Sequence, residues 1–558
     1  SDVYKRQLLL GSTRLFSVNA DGSKMEMLTQ DSTGRELGYR QNGGDVIALD
    51  LEGEPNKILM TREWIKERSI GTFLANDEEG LGVDMVDVLD GRRTKVEKAD
   101  SNAIAYLADE NGRVRIKVVQ PLAAGGMLSE KQLYYFRTPD SDRWKLLSRV
   151  TVDGQTYSGL YPVAVDSAKN VAYAFARQNG FEALYTIPLE ESGTPQLVMS
   201  RTDADVNQLI RIGRDRRVVG ASYATEKRQV SYLDPELKSL SDKLHAALPG
   251  KPLITITGAS ADEGKLLLIA SSDTDPGMTY LYDKSTRQLE PLLPLRSFME
   301  DGVLGQMTPV NFPASDGTQV PGYLTLPPGS DGKNIPAIVL PHGGPTARDE
   351  WGFDWLVQFF AARGYAVLQP NFRGSSGYGS EWFGRNGFQA WRTAIGDVND
   401  AGRWLVAQGI ADPDKMAIAG WSYGGYAALQ SQVLDPKLYK AVIAVAPVTD
   451  LEQLRAESLR YTNGRLVDAF IGRGAHVTEG SPARNAGAFQ APVLLFHGDL
   501  DQNVDVDQSR MMKSRLQEAG KPVSYVEFHD VTHSLAENKV RFQMLMAMDE
   551  FLTKTLGR

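Results

Sequence analysis

The 558-residue chain contains no cysteine. Disulfide bonds and a thiolate nucleophile are therefore excluded. The compartment is not fixed by this, since reducing and oxidising compartments both hold cysteine-free proteins. Positive charge is also in deficit. Lys and Arg number 61 against 70 Asp and Glu, giving a net charge of −9 and a pI near 5.4. A nucleic-acid-binding surface would be basic, so no nucleic-acid partner is expected. Long apolar runs are missing, and none approaches the roughly 18 residues that a membrane helix requires. Histidine is scarce, with six residues in the chain. The start, SDVYKRQLLLGSTRLF, lacks both an initiator methionine and a signal-peptide pattern. Its first seven residues read as translated adaptor sequence. The expectation is that the native N-terminus is missing, which leaves a soluble protein's compartment, cytoplasmic or periplasmic, open.

What is present fits a multidomain globular protein, with 42% hydrophobic and 23% charged residues. The first half is repetitive. A short β run, an acidic or glycine turn and a second β run recur. Examples are LFSVNADGSKMEMLT from residue 15, VIALDLEGEPNKILMT from 46, MVDVLDGRRTKVEKA from 85 and LYYFRTPDSDRWKLLSR from 133. LYTIPLEESGTPQLVM from 184, VSYLDPELKSLSDKL from 230 and TYLYDKSTRQLEPLL from 279 complete seven hairpin-like units. Their spacing is that of propeller blades, and the alternative is a β-sandwich of similar hairpins. Persistence over nearly 300 residues favours a propeller of about seven blades over residues 1–298. The first hairpin has 14 residues ahead of it, too few for a blade's inner strands, so the first blade is expected to be incomplete.

Near residue 300 the pattern changes. MTPVNFPASDGTQVPGYLTLPPG reads as a hairpin with an Asp316-Gly317 turn. Apolar β runs then alternate with helical patterns, as in PAIVL, WLVQFFAARG, YAVLQP, AIGDVNDAGRWLVAQG and KMAIAG. This alternation predicts a parallel sheet covered by helices over residues 299–558, with the site at the strand C-terminal ends. Ser422 lies at such an end, in AIAGWSYGGYAAL (418–430). The bare G-x-S-x-G pattern is weak in a chain with 53 glycines. Strand before, helix after and ordered partners downstream are what would make Ser422 a nucleophile.

A serine hydroxyl needs a base. In this topology the base follows the last strand. His533 sits on a loop before the final helix, whereas His529 comes directly off the strand VSYVEF. His245 falls in the repeat half, His476 in a polar insert, and His342 and His497 read as loop-shaping residues. His533 is therefore the expected base. The acid belongs in HGDLDQNVDVD, where Asp505 and Asp507 read as helix-start residues. Spacing alone leaves Asp499 and Asp501 open.

Several stretches together resemble the prolyl oligopeptidase family of serine peptidases. They are LPHGGP (340–345), GYAVLQPNFRGSSGYG (364–379), GWSYGGY (420–426), PVLLFHGDLDQNV (492–504) and HSL from 533. The resemblance implies a β-propeller capping an α/β-hydrolase, and short peptides as substrates. It makes Asp501 the acid, as the last position of H-G-x-x-D, and His533 the base. It also implies oxyanion donors at the Tyr423 and Gly344 N–H groups and no metal or organic cofactor. Dipeptidyl-peptidase relatives carry a tyrosine where this chain has His342. Asn503, in DQNV, resembles that same branch as a substrate-binding residue, while HGGP resembles the acylaminoacyl branch. Glu78-Glu79 and Glu190-Glu191 are candidate amine-binding pairs, but both lie in turn-like stretches and read as solvated loops. Two other functions fit the residues: an esterase using the same triad, and a propeller binding protein with a relic hydrolase. Endo- or exo-action, P1 preference and homo-oligomer formation are not given by the residues.

Overall fold

The computed structural model describes residues 11–557 except 31, 50, 72, 73, 124, 154, 155, 300, 301 and 385. The adaptor-like start at residues 1–7 lies outside the described residues. Among the described residues, six antiparallel sheets lie between residues 16 and 294, with two, four, five, four, three and four strands. Sequential pairing follows from local turn chemistry. For example, Val171–Gln178 pairs along its full length with Phe181–Pro188. The intervening Asn179 and Gly180 have φ of +51° and +87°, the backbone that a tight hairpin turn demands. Each sheet packs its face on the next. Ile116, Phe136, Val150 and Val165 join the third sheet to the fourth, and Tyr173, Leu184, Val206 and Ala221 join the fourth to the fifth. This succession of face-packed sheets is a β-propeller.

The seven sequence hairpins fall on six sheets, because those from 46 and 85 share one four-stranded sheet. The unit from 230 is not a hairpin. Strand Arg228–Tyr232 is followed by a helix over Pro235–Ala247. Asp234 caps it, accepting from the Glu236 and Leu237 N–H groups at 2.9 and 3.2 Å. Pro235 occupies the first turn, where its missing N–H costs nothing. Leu237 and Leu244, seven residues apart, bury one face.

The second unit is an eight-stranded sheet. Its strands are β1 (Met307–Pro313), β2 (Gln319–Thr325), β3 (Ile335–Val339), β4 (Ala366–Pro370), β5 (Ala411–Trp421), β6 (Ala441–Val445), β7 (Val493–Gly498) and β8 (Val523–Phe528). The order is β1-β2-β4-β3-β5-β6-β7-β8. β1 and β2 form the expected antiparallel hairpin, turning at Gly317 with φ +87°. From β4 onward the pairing is parallel. β3 and β6 carry unbroken apolar runs, and β7 is apolar from Val493 to Phe496, because helices cover both faces. On one face pack α2 (Trp391–Ala407), α3 (Tyr423–Leu434) and α6 (Asp507–Glu518), through Val398, Leu429 and Met512. On the other lie α1 (Trp355–Ala362) and α7 (Asn538–Leu556), through Phe360 and Met548. Between β6 and β7 the chain makes α4 (Leu451–Ser458) and α5 (Gly464–Ile471). Among the described residues no helix is long and apolar enough to cross a membrane.

Candidate active site

β5 ends at Trp421 and α3 begins at Tyr423, so Ser422 alone makes the turn. It has φ +59° and ψ −119°, a strained backbone for a residue with a Cβ. The turn is held tightly enough to impose this. Ser422 N–H donates to Val445 O at 2.8 Å, and its own carbonyl accepts from Tyr426 N–H at 3.0 Å. A Cβ at Gly420 would collide with the Gly424 carbonyl, and one at Gly424 with the Pro341 carbonyl. These glycines are what let strand, helix and the β3 loop meet.

The loop His342–Gly344 lies over the serine. A Cβ on Gly343 would sit 3.6 Å from the Ser422 Cβ. Gly344 has φ +118°, a conformation that glycine adopts freely. His342 stacks on Phe372 with centroids 4.4 Å apart. Its Nδ1 is 2.7 Å from Gly343 O and its Nε2 2.7 Å from Ser375 Oγ. Burial pushes its pKa down to about 4, against the pull of the Gly343 carbonyl. A neutral ring with Nδ1–H donating to the carbonyl fits both contacts, as expected of a loop-shaping histidine.

Tyr423 is 1% exposed. Its hydroxyl donates to Gly387 O at 2.7 Å, and burial holds the phenol far above its usual pKa. It borders the cavity beside Ser422 and stands at the N-terminus of α3, where the first amides lack intrahelical partners.

His533 and Asp501 come together. His533 Nδ1 lies 2.6 Å from Asp501 Oδ2. The Asp501 side chain is fully buried, and that of His533 is 20% exposed. Burial disfavours the carboxylate, but bonds to His497 and His533 outweigh it and hold Asp501 at about 2. Its other oxygen accepts the Asn503 and Val504 N–H groups at 2.8 and 3.0 Å. Trp421 Nε1–H donates to His533 O at 3.1 Å, which ties the His533 loop to the residue before Ser422. The rival pair stands apart: His529 Nδ1 is 3.0 Å from Asp499 Oδ2, with His529 81% exposed.

Sequence reasoning missed how His497 supports Asp501. It is wholly buried, with Nε2 3.1 Å from Asp501 Oδ2 and Nδ1 2.7 Å from Ser509 Oγ. The H-G-x-x-D spacing was the available signal, because four residues place that ring under the carboxylate. Glu78 and Glu79 pair with Lys95 and Lys66 at 2.7 and 2.9 Å, and Glu191 pairs with Lys145. These carboxylates are solvated, and none lines the cavity at Ser422. That cavity, of about 490 Å³, is bordered by Gly344, Ser422, Tyr423, Asp501 and Asn503 and extends between α4 and α5. Among the described residues no cluster of three or more His, Asp or Glu side chains is arranged to hold a metal ion.

A serine on a strained strand-to-helix turn at the C-terminal end of a parallel sheet is the arrangement of the nucleophile turn in α/β-hydrolases. Residues 351–558 match the model of the prolyl oligopeptidase family, and the chain carries a catalytic domain of that family. The chain is 29% identical over 554 residues to dipeptidyl aminopeptidase BIII of Pseudoxanthomonas mexicana, covering 93% of this chain and 78% of that protein. It is 25% identical over 454 residues to dipeptidyl peptidase family member 6 of Caenorhabditis elegans, covering 75% and 61%. Among solved structures, a puromycin-hydrolyzing peptidase of Mycobacterium tuberculosis superposes with a TM-score of 0.74 at 20% identity, over 98% of this chain and 83% of that one. Pyrococcus horikoshii acylaminoacyl peptidase gives 0.67 at 18%, over 96% and 84%. These superpositions establish the shared propeller-and-hydrolase fold.

Proposed function

We propose that the chain hydrolyses short peptides through an acyl-enzyme on Ser422, with His533 as base and Asp501 as its orienting acid. The observation that carries this reading is the pairing of His533 with the buried, ionised Asp501 on a loop tied to Trp421. Asp501 accepts a hydrogen bond from Nδ1–H and stays ionised, so Nε2 is left unprotonated to receive the Ser422 proton. Ser422 Oγ attacks the peptide carbonyl, and the Tyr423 and Gly344 N–H groups stabilise the oxyanion. His533 then passes its proton to the leaving amine. Water, activated by the same imidazole, releases the acid and restores the serine. Asn503, beside the triad loop, contacts the substrate backbone.

Residues 1–298 act as the propeller that limits substrate size and residues 299–558 as the catalytic unit. Release of dipeptides, the activity named for the Pseudoxanthomonas relative, is the first mode to test. A library of short peptides read by mass spectrometry, with Ser422→Ala as control, tests the reading. Cleavage lost in the variant supports it. Cleavage that persists in a folded Ser422→Ala protein, or preference for matched esters with no amide turnover, contradicts it.

A further inference from the structure

The lining of the cavity beside Ser422 combines two chemistries. Phe388, Val448, Leu466 and Phe470 give it apolar wall. Glu457, on the last turn of α4, borders it as well. Two neutral amides fix its carboxyl. Oε1 accepts from Gln453 Nε2 at 2.6 Å, and Oε2 accepts from Gln508 Nε2 at 3.3 Å. Gln508 is itself immobile. It is fully buried, and its Oε1 accepts the Thr449 and Asp450 N–H groups at 2.8 Å each. No cation is bonded to Glu457 among the described residues. Arg460, which also borders the cavity, pairs with Asp505 at 3.5 Å and is 60% exposed. Glu457 and Asp505 thus set two carboxylates against this one arginine in the lining.

Resting on the peptidase reading above, we infer that Glu457 makes this cavity a P1 pocket for a long cationic side chain, lysine or arginine. The methylene stem would lie on the apolar walls, which is how such side chains ordinarily bury. The ammonium or guanidinium would reach the oriented carboxylate and form a charge-assisted hydrogen bond. Burial, aided by Asp505, pushes Glu457 up to about 7. Arg460 opposes this rise without bonding to the carboxyl, and an arriving cation that bonds to it would hold it ionised. An apolar P1 side chain of equal length fills the walls but leaves the carboxyl stripped of water with no partner, which is costly.

The test compares kcat/KM at pH 8 for matched peptides with lysine or norleucine at P1, in the wild-type protein and in Glu457→Gln and Glu457→Asp. The expected wild-type preference for lysine is about tenfold or more. Glu457→Gln should cut the lysine-to-norleucine ratio at least about tenfold, and Glu457→Asp should recover part of it. A carboxyl that merely braces α4 against α6 would behave otherwise: Glu457→Gln would lower thermal stability and both rates together at a constant ratio. That result, or a wild type that prefers norleucine, overturns the P1 assignment while leaving the peptidase reading intact. Absence of cleavage with every P1 residue, in protein that is folded, overturns both.

Discussion

At the scale of single residues, His533 and Asp501 carry the argument. Ser422→Ala and His533→Ala should each lower kcat by several orders of magnitude, whereas His529→Ala, an exposed ring paired with Asp499, should change it little. Asp501→Asn should fold and lose on the order of 10⁴ in kcat, by analogy with the trypsin aspartate that sets the imidazole tautomer. Steady-state kinetics on one peptide amide with all four variants checks this, and equal losses at His529 and His533 would contradict the assignment. The proposed serine and base can be picked out from chain order and loop position. The acid cannot, because Asp499 and Asp501 each stand the right distance from the strand. The difference between them lies in three dimensions, where the buried Asp501 meets the His497 and His533 rings and Asp499 meets the exposed ring of His529. His342 supplies a prediction about pH. Its folded pKa, held down to about 4 by burial, lies below the unfolded value near 6.5. Between those values the unfolded chain binds more protons, so this residue's contribution is present above pH 6.5 and is lost as pH falls toward 4. Urea unfolding midpoints of wild type and His342→Gln should therefore converge on acidification from pH 7.5 to 5. A constant gap between the two would contradict it.

At the scale of elements, the turn around Ser422 depends on glycines in a way that can be measured against a neutral position. Gly424 admits no Cβ, because the Pro341 carbonyl occupies that space. Gly424→Ala should cost about 1–3 kcal/mol, as overpacking does, and impair kcat. Gly396, inside α2, has no atom within 4 Å of an added Cβ. Gly396→Ala should stabilise by about 0.5–1 kcal/mol. Denaturant unfolding of the two variants separates these effects, and a stabilising Gly424→Ala would contradict the packing argument. Strand and helix positions in the catalytic unit were readable from periodicity, since buried parallel strands keep long apolar runs. The helix at Pro235–Ala247 was misread even though its cap was in view. Asp234, Pro235 and Glu236 announce a helix start, but the hairpin repeat around them suggested a turn. The shared sheet of the hairpins from 46 and 85 was hidden for another reason. Repeat spacing counts hairpins, and only strand pairing says which hairpins join.

At the scale of the whole molecule, the propeller grips the loops that surround Ser422. Arg348, four residues beyond Gly344, donates to the Ala224 and Thr225 carbonyls at 2.9 and 3.1 Å. Arg228 pairs with Glu350, and the Asp205 N–H donates to Gly377 O at 3.0 Å. None of this was legible in the sequence, since each contact joins residues more than 100 positions apart. If the propeller limits substrate size, loosening this seam should relax the limit. Arg228→Ala should raise cleavage of a 30-residue peptide relative to a tetrapeptide by a few-fold, and an unchanged ratio would place the size limit elsewhere. The claim on which all of this rests is that Ser422 is an activated nucleophile. The direct measurement is reaction of the folded protein with a fluorophosphonate, followed by peptide mapping. The account predicts one adduct per chain, on Ser422, lost in Ser422→Ala and strongly slowed in His533→Ala. A folded protein that takes no label, or that takes it on another residue, would contradict it.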